Sequence, residues 1–472
     1  MVLRNLVTAA SALALAACAV GPDYKAPQSA SAPVANGPFL SAKSPAVSLD
    51  PVAADWWRLY DDPVLDALVA DALASNTDVR VAVANIARAR ASLRGARADR
   101  LPQGAIGAGA NYGRSPEGQR LPGADREDWA VDVGLNVSYE VDLFGRVSRS
   151  VEAARGDAEA AEANADAVRV IVAADTTQAY ADASSGAARL AVARRIVELL
   201  DQQVKLTERR KEVGMATGLD LARITTLRDQ RAADIPSIEA ERQAALFRLA
   251  TLTGRAPAAL PPIAADRAIS LEITDPIPVG DGAALLKRRP DIRAAERRLA
   301  ADTARIGVAT ADLYPRITLG GSAGSTGAGF GDIFGGGPLR WLLGPLLNWA
   351  FPNQEPARAR IAAAEADTQA SLAEFDGAVL RALEETETAL SSYARSLEQR
   401  QALRAARDQA ERAARIVRAK RQEGASDSLE WLDAERTFAE TEAVLAAQDA
   451  QISRRQIALF RALAGGWSNQ SS

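Results

Sequence analysis

The chain has 472 residues and a net charge of −4, with 56 Lys and Arg against 60 Asp and Glu, so no basic excess is present to bind nucleic acid. Histidine is absent and Cys18 is the only cysteine, which removes the commonest general base and metal ligand and excludes an internal disulfide. Aromatic residues make up only 5%, a composition typical of long, closely packed helices. We expect no enzyme activity, no cofactor and no metal site.

The first 17 residues predict an export signal. Arg4 precedes a mostly apolar stretch over 6–17 that is too short to span a membrane. The stretch ends in Leu15-Ala16-Ala17-Cys18, which resembles a bacterial lipobox, in which the cysteine thiol takes a diacylglycerol thioether. Each buried CH₂ contributes about 0.8 kcal/mol, so a multiply acylated Cys18 would anchor the chain. Alternatively, Cys18 is an ordinary small hydrophobic residue. Ala19 follows it, which by resemblance to other lipoproteins permits sorting to the outer membrane.

An internal repeat divides the chain into two halves. Asp78-Val79-Arg80 matches Asp291-Ile292-Arg293 at a spacing of 213, and residues 98–102 match 311–315 at the same spacing. The segment that begins at Glu212 matches the one at Gln422 at a spacing of 210, so small insertions and deletions lie between the copies. Two copies indicate a duplicated domain, because a solenoid needs at least about three stacked units.

Both halves predict the same order of elements. A helix (76–100 and 290–313) precedes two strand-like runs, a long helix (145–213 and 355–423) and a shorter helix (218–253 and 428–463). The long helix would extend about 105 Å and the two shorter ones about 90 Å end to end, which predicts a tall helical wall. Acid-to-base pairs at i,i+4, such as Asp408 with Arg412 and Glu411 with Arg415, add a few tenths of a kcal/mol each.

The strand-like runs carry a membrane signal. From 131 to 141 the odd positions are Val, Val, Leu, Val, Tyr and Val, and the even positions are Asp, Gly, Asn, Ser and Glu. About 11 alternating residues match a tilted membrane-spanning strand, although a half-buried strand of a soluble sandwich alternates in the same way. The other candidates are 104–112, 316–325 and 339–351, with Trp129, Trp341, Trp349 and Phe351 suited to a membrane interface. Four strands cannot close a barrel, so a spanning sheet needs several chains, and three would supply twelve strands.

These features also carry a family resemblance over nearly the whole chain. The relevant motifs are Cys18-Ala19-Val20-Gly21-Pro22-Asp23-Tyr24, Trp56-Trp57, Glu140-Val141-Asp142-Leu143-Phe144-Gly145, Leu252-Thr253-Gly254-Arg255-Ala256-Pro257, Arg288-Arg289-Pro290-Asp291-Ile292 and Leu432-Asp433-Ala434. With them the chain resembles the NodT-type outer-membrane factors, the lipoprotein branch of the TolC-like ducts of tripartite, RND-type efflux systems. One departure is Pro352-Asn353-Gln354-Glu355-Pro356, where the family often has a glycine-rich turn, and it leaves the start of the second long helix undefined.

The resemblance implies a mainly α fold with a small membrane β part. In a homotrimer, long antiparallel helices would form a twelve-helix periplasmic α-barrel, and four strands per protomer would form a twelve-stranded outer-membrane β-barrel. It also implies an equatorial belt from the terminal segments, a periplasmic adaptor protein and an inner-membrane RND-type transporter as partners, and a lipid-anchored location in the outer membrane. The expected boundaries are a signal peptide at 1–17, an anchored and equatorial segment at 18–75, repeats at 76–254 and 290–466, a linker at 255–289, and a tail at 467–472.

A glycine-rich stretch from 320 to 337 deserves comparison with nucleotide-binding loops. No Gly-Lys-Ser/Thr follows it, and it leads into another strand-like run and not into a helix. Phosphate-binding loops need a helix N-terminus directly after the glycines. We therefore interpret the stretch as an extracellular loop.

The helix-to-helix tips at 214–220 and 424–430 are the candidate periplasmic end of a duct. Glu430 and Asp433 lie three residues apart and share a helix face, so each would form a ring of three carboxylates in a trimer. The family implies acidic residues where the pore narrows. Asp220, the first-repeat counterpart of Glu430, is a further gate candidate, and Arg223 is the counterpart of Asp433. Alternatively, acids near a helix start only complement its dipole, worth about 0.3 to 1 kcal/mol.

Two functions therefore remain in competition. The first is a passive exit duct that carries small molecules from an inner-membrane transporter and adaptor across the outer membrane. The second is a non-transporting coiled-coil lipoprotein that braces the envelope. The second would share the helices and Cys18 but has no need of the alternating strand at 131–141.

Overall fold

A computed structural model describes residues 19–27, 37–114, 116, 125–327, 331, 333, 339–423 and 428–464. The predicted signal peptide, Cys18, the tail at 467–472 and residues 424–427 of the second tip lie outside the described residues. The chain forms two compact units, and each takes segments from both halves of the sequence. The first contains the described residues up to Pro27 with Asn85–Glu162 and Ala294–Phe375, and the second contains those of Gln28–Ala84, Ala163–Arg293 and Asp376–Ser472.

Long helices dominate the described residues, as predicted. The helices are α1 Pro63–Ser75, α2 Thr77–Ala98, α3 Arg146–Glu212, α4 Gly218–Leu252, α5 Gly282–Arg288, α6 Pro290–Ala311, α7 Glu355–Gln422 and α8 Ser428–Ala462. The strands are β1 Val47–Ser48, β2 Gln103–Arg114, β3 Glu127–Val141, β4 Ile277–Pro278, β5 Arg316–Gly327 and β6 Leu339–Asn348. The six predicted helices and four predicted strands are all confirmed, whereas α1, α5 and the short parallel pair β1–β4 were not predicted.

Strands β2, β3, β5 and β6 form one antiparallel sheet in that order. Leu135 of β3 lies opposite Ile106 of β2 and Ala323 of β5, and Ala323 lies opposite Trp341 of β6. The predicted run 339–351 was three residues too long, because β6 ends at Asn348. Beyond that point the indole nitrogen of Trp349 donates a hydrogen bond to the carbonyl oxygen of Leu313 at 3.1 Å, which takes the chain out of the sheet.

The helices of the first unit follow the same order as the strands. Arg90 of α2 forms an ion pair with Glu162 of α3 at 2.7 Å. Gly156 of α3 lies so close to α6 that an added Cβ would be 2.9 Å from the Cβ of Ala301. Ser371 of α7 donates a hydrogen bond to Asp302 of α6. The order is therefore α2–α3–α6–α7, with α2 and α7 at its two ends.

The two long helices begin in different ways. Asp142 caps α3, since its carboxylate accepts hydrogen bonds from the backbone nitrogens of Val147 and Ser148 at 2.9 and 2.8 Å. At the start of α7 the carbonyl oxygen of Gln354 accepts from the backbone nitrogen of Ala357 at 3.0 Å, and its side chain donates to the carbonyl oxygen of Leu313 at 3.1 Å. Residues 352–356, which depart from the family pattern, therefore begin α7 with the hydrogen bonds of Gln354.

The core of the second unit contains the aromatic residues that precede α1. The ring of Trp56 is fully buried and stacks on Phe460 with the centroids 4.6 Å apart. Asp62 is also buried, and it caps α1 and accepts a hydrogen bond from the hydroxyl of Tyr180 at 3.0 Å. Burial raises the pKa of Tyr180 above its usual value, so this phenol stays a hydrogen-bond donor.

The two ion pairs predicted on the second long helix have the wrong basic partner. Asp408 and Glu411 both contact Arg407, at 3.2 and 2.9 Å, in place of Arg412 and Arg415. A long guanidinium side chain can reach acids on either side of it along a helix. The i,i+4 spacing therefore shows which residues are close enough to pair, but not which of them do.

Candidate functional site: a two-faced sheet and two helix hairpins

One face of the four-stranded sheet is apolar and exposed. Cross-strand partners in an antiparallel sheet lie on the same face, so the register fixes its members. The exposed apolar residues that share the face of Leu135 are Ile106, Tyr112, Trp129, Val133, Val137, Leu319, Leu339, Trp341, Leu343 and Leu347. Contiguous apolar surface of this extent is typical of contact with lipid or another protein.

The opposite face carries small and polar side chains. Asp132, Thr326 and Arg340 form a network there, in which the hydroxyl of Thr326 donates to Asp132 at 2.7 Å and the Nε of Arg340 donates to that hydroxyl at 3.0 Å. Arg340 also forms an ion pair with Asp132. The edge strand β6 departs from the pattern, since Leu342 and Leu346 lie on the polar face and are exposed.

Aromatic side chains lie at both ends of the apolar face. Tyr112 and Trp129 are cross-strand partners with ring centroids 5.6 Å apart. At the other end Trp349 stacks on Phe351 with the centroids 5.1 Å apart. Rings with a polar tip at the two ends of an apolar band are typical of membrane-spanning segments, because they occupy the two headgroup regions.

A charged cleft of about 480 Å³ lies where the sheet meets its helices. Arg146 donates two hydrogen bonds to Glu140, at 2.7 and 2.6 Å, and Arg316 and Arg360 contact Asp312 at 3.5 and 3.2 Å. The hydrogen bonds to Glu140 raise the pKa of Arg146 above its usual value. The Arg146–Glu140 pair holds the first residue of α3 to the end of the polar face, and the pairs of Asp312 join the segment after α6 to β5 and α7.

The first helix hairpin turns between α3 and α4. Gly214 has a φ of 76°, which favours glycine, and the nitrogen of Met215 donates to the carbonyl oxygen of Arg210 at 2.7 Å. Asp220 completes a capping box at the start of α4, because its carboxylate accepts from the backbone nitrogen of Thr217 at 2.9 Å. Within the chain, this carboxylate therefore serves the helix end.

The second hairpin places Glu430 and Asp433 in the first turns of α8. Glu430 forms an ion pair with Lys420 of α7 at 3.7 Å, and Asp433 forms one with Arg436 at 2.8 Å. Both carboxylates are roughly half-exposed or more. Exposed pairs of this kind contribute about 0–1 kcal/mol each, so neither of these two pairs contributes much to the stability of the hairpin.

Buried contacts that the sequence did not reveal hold this hairpin together. Arg418 of α7 binds both carboxylate oxygens of the buried Glu435 of α8, and the guanidinium of Arg421 lies 4.0 Å from the ring centre of Trp431. The hydrogen bonds to Glu435 raise the pKa of Arg418 above its usual value. Such pairs join two helices that the sequence alone cannot place in register.

Within the described part of the chain, no helix is long and apolar enough to cross a membrane. The same residues contain no group of three or more Cys, Asp or Glu side chains arranged to hold a metal ion.

The sequence matches the family model described as outer membrane efflux protein over residues 68–255 and 283–465. The chain belongs to this family. Among curated relatives, it is 33% identical to outer membrane protein OprJ of Pseudomonas aeruginosa over 98% of this chain and 95% of OprJ. It is 28% identical to Nodulation protein T of Rhizobium leguminosarum bv. trifolii over 97% of this chain and 96% of that protein.

A solved structure, that of the outer-membrane channel OprN, superposes with a TM-score of 0.88 at 36% identity. The match covers 95% of this chain and all of the OprN chain. The efflux protein therefore has the TolC-like fold, and it acts in the outer membrane as the exit duct of an efflux system. Its two-faced sheet is the feature that suits it to that membrane.

The structure of this efflux protein distributes the predicted gate residues over two helix hairpins that share one hydrophobic cluster. Glu430 and Asp433 lie on the same end of α8, whereas Asp220 lies in the other hairpin. Cys18 lies outside the described residues. Lys420 and Arg436 were missed as partners of the two acids, although the i,i+3 spacing of Asp433 and Arg436 is visible in the sequence.

Proposed function

We propose that three copies of this efflux protein form a passive duct. The observation that carries the proposal is the sheet, whose apolar face is exposed and whose edge strands β2 and β6 pair with no further strand among the described residues. Unpaired strand edges are not tolerated in lipid. The four strands alternate in direction, so β6 of one copy can pair antiparallel with β2 of the next. Three copies supply twelve strands, which lies within the range of bacterial membrane sheets.

The duct is a conduit, and neither an enzyme nor a pump. Its glycine-rich segment 320–337 has no nucleotide-binding motif, and the Asp132–Thr326–Arg340 network lies on the polar face of its four-stranded sheet. Energy for transport therefore comes from partners: an inner-membrane transporter of the RND type and a periplasmic adaptor. The substrates are small molecules that pass along the polar face.

Single-channel recording tests the duct directly. Purified protein in a planar bilayer is expected to give discrete conductance steps, because water and ions follow the polar face of the closed sheet. A non-transporting coiled-coil lipoprotein that braces the envelope would give none. Absence of conductance from protein shown to be inserted and oligomeric contradicts the duct.

We also propose that Cys18 is acylated. The first described residues begin close to the end of the sheet, since the nitrogen of Val20 donates to the carbonyl oxygen of Phe144 at 3.2 Å, three residues after β3 ends. Cys18 directly precedes the first described residue, so a lipid on Cys18 would enter the membrane that the sheet crosses. Mass spectrometry of the mature N-terminus is expected to show acyl mass on wild-type protein and none on Cys18→Ser, whose oligomer remains intact. An unmodified wild-type N-terminus contradicts the anchor.

The proposed gate consists of Asp433, Glu430 and Asp220 at the hairpin tips. Three Asp433 carboxylates that converge on one axis would attract cations, and Arg436 offsets only part of their charge because the pair is exposed. The carboxylate of Asp220 keeps its charge but is held in its capping box, so we rank it behind Asp433 and Glu430 as a gate residue.

Asp433→Asn is expected to lower cation selectivity and weaken block by multivalent cations added from the periplasmic side, because the ring of Asp433 side chains loses its three negative charges. Glu430→Gln should change both in the same direction but less. Reversal potentials and block curves measure the effect. Asp408→Asn is the control. Asp408 contacts Arg407 and lies in α7 farther from the tip, so this variant should leave the selectivity and the block unchanged. Unaltered selectivity in an intact Asp433→Asn oligomer removes Asp433 from the gate.

A further inference from the structure

The duplication produces two equivalent helix pairs, and the described residues of a single chain assemble only one of them. Helices α3 and α6 pack together in the middle of the helix order. Their repeat counterparts are α7, at a spacing of 210 from α3, and α2, at a spacing of 213 from α6. These counterparts are the two end helices of the order α2–α3–α6–α7.

Ion pairs fix the register of α3 against α6. Asp166 of α3 binds Arg293 of α6 at 2.5 Å, and Asp157 binds Arg305 at 2.6 Å. The carboxylate of Asp166 is mostly buried in this contact. A partly buried pair of this kind defines how far one helix is shifted along the other.

The same pair of residue types recurs on the end helices. Asp376 of α7 is the counterpart of Asp166, and Arg80 of α2 is the counterpart of Arg293. Arg80 is exposed and Asp376 is partly exposed. Among the residues that the structure describes, neither one contacts an ion-pair partner.

Apolar positions show the same contrast. Ala294 of α6 is 1% exposed, and Val170 of α3 is 5% exposed. Their counterparts Val81 of α2 and Leu380 of α7 are each 60% exposed. Larger apolar side chains are thus exposed at positions that a neighbouring helix covers in the other repeat, which indicates that each end helix is uncovered on one side by the residues that the structure describes.

We propose that α7 of one copy packs against α2 of the next in the register of α3 against α6, with Asp376 bound to Arg80 of the neighbouring copy. The contact joins two different surfaces, so it repeats from copy to copy and closes into a ring. Val81 and Leu380 become covered in the same contact. The inference rests on the proposed oligomeric duct and identifies the helical surfaces that assemble it.

Charge exchange tests the pair. Arg80→Asp or Asp376→Arg alone should raise the concentration at which the oligomer dissociates about tenfold, since each places like charges together. The double variant Arg80→Asp with Asp376→Arg should return it to near the wild-type value. Arg97→Asp combined with Asp376→Arg is the matched control, because Arg97 lies on the side of α2 that forms a cleft with Arg155 of α3, and it should not restore assembly. Light scattering over a dilution series in detergent gives the readout.

Cross-linking tests the register independently. Arg80→Cys with Asp376→Cys and a short bifunctional thiol reagent should give covalently linked dimers and trimers, whereas each single variant should not. An intact trimer with no cross-link and no charge rescue overturns this register and leaves the proposed duct standing. A wild-type chain that is monomeric in both membranes and detergent overturns the duct as well.

Discussion

Leu135→Arg is expected to prevent or strongly reduce assembly in outer membranes. Leu135 lies near the middle of β3 on the apolar face, opposite Ile106. An arginine that faces the bilayer midplane costs about 2–4 kcal/mol, and each oligomer would contain one such residue per copy. Heat-resistant oligomer in isolated outer membranes, quantified on gels, measures the loss.

Asn136→Arg is the matched control, one residue along the same strand. Its side chain lies on the polar face, opposite Ser322 of β5, so an arginine there keeps its hydration. Because neighbouring residues of a strand face opposite sides, the two variants should differ sharply. Equal assembly of both would show that the apolar face does not contact lipid.

Asp62→Ala is expected to destabilise the second unit by about 2–4 kcal/mol, because it removes the cap of α1 and leaves the buried hydroxyl of Tyr180 and the partly exposed guanidinium of Arg267 without their partner. Asp62 accepts hydrogen bonds from the backbone nitrogen of Val64 at 2.9 Å, from Tyr180 at 3.0 Å and from Arg267 at 2.8 Å. One side chain therefore joins the start of α1, helix α3 and the segment between the repeats. The midpoint of denaturant unfolding in detergent measures the change.

Asp50→Ala is the control for this prediction. Asp50 is exposed and accepts a hydrogen bond from the hydroxyl of Ser48 at 2.8 Å, so its loss should change stability by no more than about 0.5 kcal/mol. The loss of stability in Asp62→Asn should lie between those of the other two variants, since an amide oxygen can still cap α1 but does not neutralise Arg267. If Asp62→Ala unfolds at the same midpoint as Asp50→Ala, the buried network does not stabilise the unit.

The sequence predicted best those elements whose residue pattern repeats over a few neighbouring positions. The 67-residue α3 and the 68-residue α7 begin and end within about a residue of their predicted bounds, because helical propensity and caps act over a few neighbours. The strict alternation at 131–141 likewise assigned Leu135 and Asn136 to opposite faces. The duplication and the family motifs required no tertiary contact at all.

Short elements gave a weaker signal. Helix α1 has 13 residues, α5 has 7, and the parallel pair β1–β4 has two residues per strand. Elements of this size are held by tertiary contacts, such as the carboxylate of Asp62 and the ring of Trp56 against Phe460. A short window of sequence does not contain those partners.

By itself, the sequence determined the six long helices, the four strands of the large sheet and their two faces, since each depends on residues close together in the chain, and self-comparison of the sequence was enough to show the repeat. Only the tertiary structure decided which side chains meet across long separations. It paired Asp166 with Arg293 and Asp62 with Arg267, and it set the helix order α2–α3–α6–α7. The physical reason is that ion-pair partners depend on the packing and register of whole helices, which no local pattern encodes.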